Sequence, residues 1–173
     1  MTTRRTLVTL TIAAIAAFIL SPDLARAQEP QLLGEYEDWA AYTYDSDKGK
    51  VCYIVSQPKD SEPKDVRRDP IFMLITHRPG EKVHNEVSTI IGYPFKKGST
   101  ASATIGGSTF QMFTSGDGAW LDSKAKDSEM VNAMKRGIDL VIKGTSWRGT
   151  VTTDKYSLRG VTAAMGKIDQ ECP

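Results

Sequence analysis

The stretch Gly144 to Cys172, GTSWRGTVTTDKYSLRGVTAAMGKIDQEC, decides how the rest of the chain is read. Gly144 to Gly149 has the glycines and small polar residues of a hairpin turn. Thr150 to Leu158 reads as an extended segment. Its alternation changes phase near Thr153-Asp154, which predicts a bulge or tight turn there. A short helix follows, in which Val161, Met165, Ile168 and Cys172 are spaced four, three and four residues apart. That spacing puts them on one face, which must dock on the remainder of the protein. Cys172 closes the helix and can be tied to Cys52, the only other cysteine.

The chain opens with the pattern of an export signal. Arg4 and Arg5 form a basic start, Leu7 to Leu20 an apolar run, and Ala25-Arg26-Ala27 a cleavage site before Gln28. The apolar run is shorter than the roughly 20 residues that span a bilayer. Residues 1–27 are therefore expected to be removed, leaving Gln28 to Pro173 as a single domain. Without Arg4, Arg5, Arg26 and Asp23, the count of 22 basic against 21 acidic side chains becomes 19 against 20. A near-neutral chain does not fit nucleic acid as the main partner, because phosphate binding needs a concentrated basic surface. In an exported chain, two cysteines are expected to form one disulfide. The bridge would close a loop of 120 positions, for which chain-entropy models give roughly 4–5 kcal/mol.

Between these ends, short extended segments alternate with turn signals. Strands are expected over Trp39–Tyr44, Val51–Gln57, Ile71–Ile75, Val83–Ile91, Thr100–Ile105, the Phe110–Met112 region, Ala119–Leu121, Ile138–Lys143 and Thr150–Leu158. Val51 to Gln57 is apolar on both faces, so it is expected in the middle of a sheet with Cys52 pointing inward. Gln28 to Asp38 reads as a flexible lead-in and Pro58 to Asp69 as a long exposed loop. One further helix is expected over Ser128–Arg136, capped by Asp127 or Ser128 and stopped by Gly137. The pattern predicts a mainly β chain, an immunoglobulin-like β-sandwich with two short helices, the second C-terminal.

Reactive chemistry is sparse. There is no phosphate-cradling loop in a strand–loop–helix setting and no nucleophile elbow, and no cofactor is expected. His77, His84 and Glu86 could hold zinc or act as acid and base. Yet no third histidine or free cysteine completes a closed site, so no metal is expected. Asp117 and Asp122 flank Trp120 and could form a hydrolytic carboxylate pair, whereas carboxylates in such glycine turns are usually turn formers. Tyr93, Phe95, Lys96 and Lys97 form a candidate partner-binding loop of aromatic and basic residues. The alternative is that the aromatics pack down as a lid while the lysines stay solvated. Arg148 and Arg159 either brace turns or contribute to an interaction face.

Several pieces follow one another in a set order and spacing: Gly92-Tyr93-Pro94-Phe95-Lys96 to Ser99; Phe113-Thr114 with Gly116-Asp117-Gly118-Ala119-Trp120; Ala133-Met134-Lys135 to Gly137; Gly144-Thr145-Ser146 with Arg148-Gly149-Thr150; Tyr156-Ser157-Leu158 to Gly160; and Ile168 to Cys172. As an ordered set they resemble the invasion-associated locus B (IalB) family of exported α-proteobacterial proteins. The resemblance implies a β-sandwich placed in the periplasm, at the outer membrane or at the cell surface. It implies no catalytic residues. The expected role is therefore a non-enzymatic envelope protein that binds a protein or glycan partner, in adhesion or host-cell invasion. The alternatives are a periplasmic scaffold or folding helper, or a small hydrolase using Asp117, Asp122 or His84.

Overall fold

The computed structural model describes residues 29–173. The expected export signal over residues 1–27, and Gln28 as the first residue after it, lie outside the described residues. The chain runs β1 (Gln31–Tyr36), β2 (Trp39–Ser46), β3 (Gly49–Ser56), β4 (Asp60–Glu62), β5 (Phe72–Arg78) and β6 (Val83–Ile90). It continues through β7 (Thr100–Ile105), β8 (Ser108–Ser115), β9 (Gly118–Trp120), α1 (Lys124–Arg136), β10 (Asp139–Thr145), β11 (Val151–Ser157) and α2 (Val161–Glu171).

All the strand pairings are antiparallel, in the order β1-β2-β3-β5-β6-β9-β8-β7-β10-β11-β4. The sheet folds over along the short β6–β9 pairing, so its two halves face each other as a β-sandwich. At the far side the halves meet again, where the Trp39 indole N–H donates to the Ser157 carbonyl at 3.0 Å. Inward side chains from both halves form one apolar cluster, including Ile54, Ile75, Met112, Leu140 and Tyr156. The two helices lie on this inner side. Val161, Ala164, Met165 and Ile168 of α2 are buried, and Cys172 is bonded to Cys52 with Cα atoms 6.0 Å apart. The expected helical face and its disulfide are both present. β3 lies between β2 and β5 with Cys52 fully buried, as its two-faced apolar pattern predicts.

Two strands occupy stretches read as irregular. Gln31–Tyr36 is not a flexible lead-in but an edge strand on β2, with a bulge between Leu32 and Gly34 that erases its alternation. Asp60–Glu62, inside the expected long loop, pairs with β11. Three polar residues carry no periodic signal, and only backbone pairing makes them a strand.

Two local expectations also change. α1 starts at Lys124 rather than Ser128, because Ser123 is the cap and its hydroxyl accepts the Lys126 N–H. Asp127 instead turns inward and accepts the Val87 N–H at 2.9 Å. That donor lies just beyond the point where β9 stops pairing with β6. No bulge breaks β11, whose register with β10 runs unbroken from Thr145↔Val151 to Asp139↔Ser157. Thr152, Asp154 and Tyr156 all point inward. A charged residue in a core position, not a backbone irregularity, produces the apparent change of phase. Gly160, ahead of α2, sits at φ 90°, where a Cβ would lie 1.8 Å from the Tyr36 carbonyl oxygen. Only glycine lets the helix start this close to β1.

Candidate functional site: an aromatic sheet face

In an antiparallel sandwich the outer face is normally polar. The second half obeys this rule: Gln111, Ser102, Lys143 and Thr153 stand in one row across four strands. The first half does not. Val55, Leu74 and Ser88 are successive cross-strand partners on its outer side, and the row runs on past β6 to Trp120 of β9 and Phe113 of β8. The next row places Tyr42 against Tyr53, then Thr76 and Glu86.

Tyr42 and Tyr53 stack at 5.4 Å between ring centroids, 16° from parallel. Tyr44 meets Tyr53 edge-on at 6.3 Å. Phe113, half exposed, stacks on Trp120 at 5.9 Å. The three tyrosines and Phe72 line a shallow groove of about 590 Å³, and Phe113 and Trp120 lie outside it. Packing beneath its neighbours raises the Tyr53 hydroxyl above its ordinary value, so it stays protonated and able to donate. At the rim, the Arg78 guanidinium donates to both Glu86 oxygens at 2.9 and 2.8 Å. Glu86 in turn holds Arg78 above its ordinary value, so the pair remains charged and mutually neutralised.

None of these tyrosines was singled out by sequence reasoning. The signal was the two-faced apolar pattern of β3 and β5. Such a pattern reports central position, but in an antiparallel sheet it also means that the outer face is apolar.

The structure places the sequence candidates elsewhere. Phe95 is buried and packs over Gly144, and Tyr93 is half-buried with its hydroxyl 2.6 Å from that of Thr152. Lys96 and Lys97 are exposed at the same end of the sandwich. Near them Trp147 is exposed, with the Arg148 guanidinium 4.8 Å above its ring. Arg159 braces β1's end through Glu37 at 2.6 Å.

His77 is buried opposite a bulge in β6, where His84 and Asn85 face one residue of β5. The Asn85 N–H donates to His77 Nδ1 at 3.1 Å, so Nε2 carries the proton and donates to Asp169 at 2.8 Å. Both ring nitrogens are engaged. Asp122 is exposed and paired with Lys126 at 2.7 Å. Asp117 lies at the other end of β6 from His84, its carbonyl accepting the Ile91 N–H. Seven residues of extended chain separate His84 from Ile91, about 23 Å at the strand rise. His84, Asp117 and Asp122 do not share a cleft.

Among the described residues, no helix is long and apolar enough to cross a membrane. No curated protein matches the chain. A crystal structure of invasion associated protein b from Bartonella henselae superposes with a TM-score of 0.54 at 13% identity, covering 80% of this chain and 96% of that one. At that identity the likeness speaks for the fold alone. The sequence profile described as invasion associated locus B (IalB) protein matches residues 39–169, from the first residue of β2 into α2. That span takes in every strand except β1, together with the aromatic face, and the chain belongs to the invasion associated locus B family.

Proposed function

We propose that this protein is an exported, non-enzymatic envelope protein that works by holding a partner, protein or glycan, on its aromatic sheet face, in adhesion to or entry into host cells. The observation that carries this reading is the stacked pairs Tyr42–Tyr53 and Phe113–Trp120 on the outer side of the sheet, where a solvated face is ordinarily polar. Aromatic side chains supply much of the energy at recognition surfaces. The disulfide fits an oxidising compartment outside the cytoplasm. Lys96 and Lys97, with Trp147 and Arg148, offer a second contact region at one end of the sandwich.

A scaffold that accepts strands from clients needs a long apolar edge. The two edge strands here are β1, interrupted by a bulge, and β4, three polar residues long. Such edges are blunted against strand addition, so partner capture on the face is favoured over a folding helper.

Binding of the mature protein to host cells and to envelope fragments tests the reading, comparing wild type with a Tyr42→Ser/Tyr53→Thr variant. The variant is expected to lose binding while remaining folded; undiminished binding removes the face from consideration. Protease shaving of intact cells, with a periplasmic leak control, tests location. Cleavage of the domain while the control survives supports a surface role, and protection until the outer membrane is opened argues against adhesion.

A further inference from the structure

We infer that the end of the sandwich carrying Trp147 docks on an anionic lipid surface, a role separate from the partner of the aromatic face. Two turns are fused there. In one, the Ser99 N–H donates to the Lys96 carbonyl at 3.0 Å, with Gly98 at φ 75°, which puts Lys97 at the tip. In the other, the Gly149 N–H donates to the Ser146 carbonyl at 2.8 Å, which puts Trp147 and Arg148 at the tip. Phe95 and Ser146 bridge the two turns. On either side of that bridge, the Lys96 N–H donates to the Thr145 carbonyl at 2.9 Å and the Trp147 N–H to the Pro94 carbonyl at 3.0 Å. The buried Phe95 ring anchors the assembly over Gly144. Trp147 is nevertheless 60% exposed, and Val151, just beyond the same turn, 61%. Backbone bonds hold this indole out in water, so its exposure is set by the fold and not by a loose loop.

Charge and shape choose the occupant. Lys96, Lys97, Lys143 and Arg148 are exposed at or next to these turns. Among the described residues, none of the four is within ion-pair distance of a carboxylate. Asp65 and Asp69 line the cleft behind the Trp147 turn together with Arg67, and Asp117 of the adjoining β8–β9 turn offsets part of the charge. The cations outnumber these carboxylates. The Arg148 guanidinium lies 4.8 Å above the Trp147 ring, so indole and cation enter a surface together. Indoles favour the lipid–water interface, where the apolar body enters the headgroup zone and the N–H stays wet, while nearby Lys and Arg are drawn to the phosphates. A stable protein interface covers roughly 800 Å² per side around an apolar centre. Two exposed apolar side chains on a projecting turn do not form one.

Flotation of the mature protein with vesicles tests the assignment, using phosphatidylcholine alone and phosphatidylcholine mixed with phosphatidylglycerol. Wild type is expected to float with the mixed vesicles, to stay in solution with the neutral ones, and to be released by raising salt, which screens the attraction. Trp147→Ser should weaken flotation roughly tenfold, the scale of losing one buried apolar ring, and should abolish the blue shift of tryptophan emission on binding. Lys96→Ala/Lys97→Ala should weaken it roughly thirtyfold, the scale of two cations near an anionic surface. These side chains are exposed, so the variants should melt with wild type. Tyr42→Ser should float like wild type, which keeps this test apart from that of the aromatic face. Absence of flotation with phosphatidylglycerol, or equal flotation with both kinds of vesicle, overturns the assignment. Flotation that survives both the Trp147 and the lysine replacements overturns it too. If wild type ignores the vesicles while the lysine variant loses capture of host cells or envelope fragments, the turns meet a protein or glycan instead.

Discussion

Arg68 and Asp154 form a buried two-pronged ion pair, with Nη1 to Oδ1 at 2.7 Å and Nη2 to Oδ2 at 2.6 Å. Their side chains are 6% and 0% exposed. Arg68 also donates twice to the Ile91 carbonyl and lies over the Tyr93 ring. It thereby fastens the long segment after β4 to both halves of the sandwich. Removing either partner leaves a buried charge unmatched, so Arg68→Ala and Asp154→Ala should each cost about 3–5 kcal/mol in urea unfolding. Replacing both with apolar residues of similar volume should recover much of that loss, since the desolvation of two ions disappears with them. Strictly additive losses would show that the pair is not the source.

The Cys52–Cys172 bridge ties α2 to the centre of the first half. Beside it, Lys50 and Glu171 form an exposed ion pair at 2.7 Å. The oxidised protein should have a mass two hydrogens below the reduced form and resist thiol labelling in denaturant without reductant. The Cys52→Ala/Cys172→Ala variant should lose about 4 kcal/mol. Hydrogen exchange should show α2 amides losing protection before those of β3 and β5; equal loss everywhere would mean that the helix docks without help from the bridge.

Asp127 makes stability depend on pH. Burial is the main cause that raises its carboxyl to about 6, with Glu86 and Asp122 adding to it and the Val87 N–H opposing. Because the folded value lies above the unfolded 3.8, folding takes up a proton between the two, and this contribution grows as pH falls through about 6. At neutral pH the ionised group costs up to about 3 kcal/mol relative to its neutral form. Asn keeps the acceptor for Val87 without the charge. Asp127→Asn should therefore be more stable than wild type at pH 7, with the gap closing towards pH 4. A gap that stays constant with pH would place the effect in packing.

The loop around Phe95 separates into a structural and a solvated part. Phe95→Ala removes a buried ring over Gly144 and should cost about 3–5 kcal/mol. Lys96→Ala and Lys97→Ala should each change stability by no more than about 0.5 kcal/mol. A combined replacement of Tyr93, Phe95, Lys96 and Lys97 would therefore unsettle the fold, and only the lysine variants can report on partner capture by this loop. Thermal melts of the single variants decide the division.

The sequence by itself determined the periodic parts. Alternation in β6, β7 and β10 and the four-three-four spacing in α2 are one-dimensional records of which side is buried, so they can be read without neighbours. Cys52 and Cys172 were readable for a different reason, since two cysteines leave one intramolecular pairing once the chain is read as exported. Pairing across the fold decided the rest. Gln31–Tyr36 and Asp60–Glu62 become strands because β2 and β11 offer them backbone partners, and no pattern of their own announces it. Asp154 looked like a break in β11 because its partner Arg68 is 86 residues away in sequence. The aromatic face was invisible for the same reason. Tyr42, Tyr53, Trp120 and Phe113 are scattered along the chain, and they form a single surface only once strand order and register set them side by side.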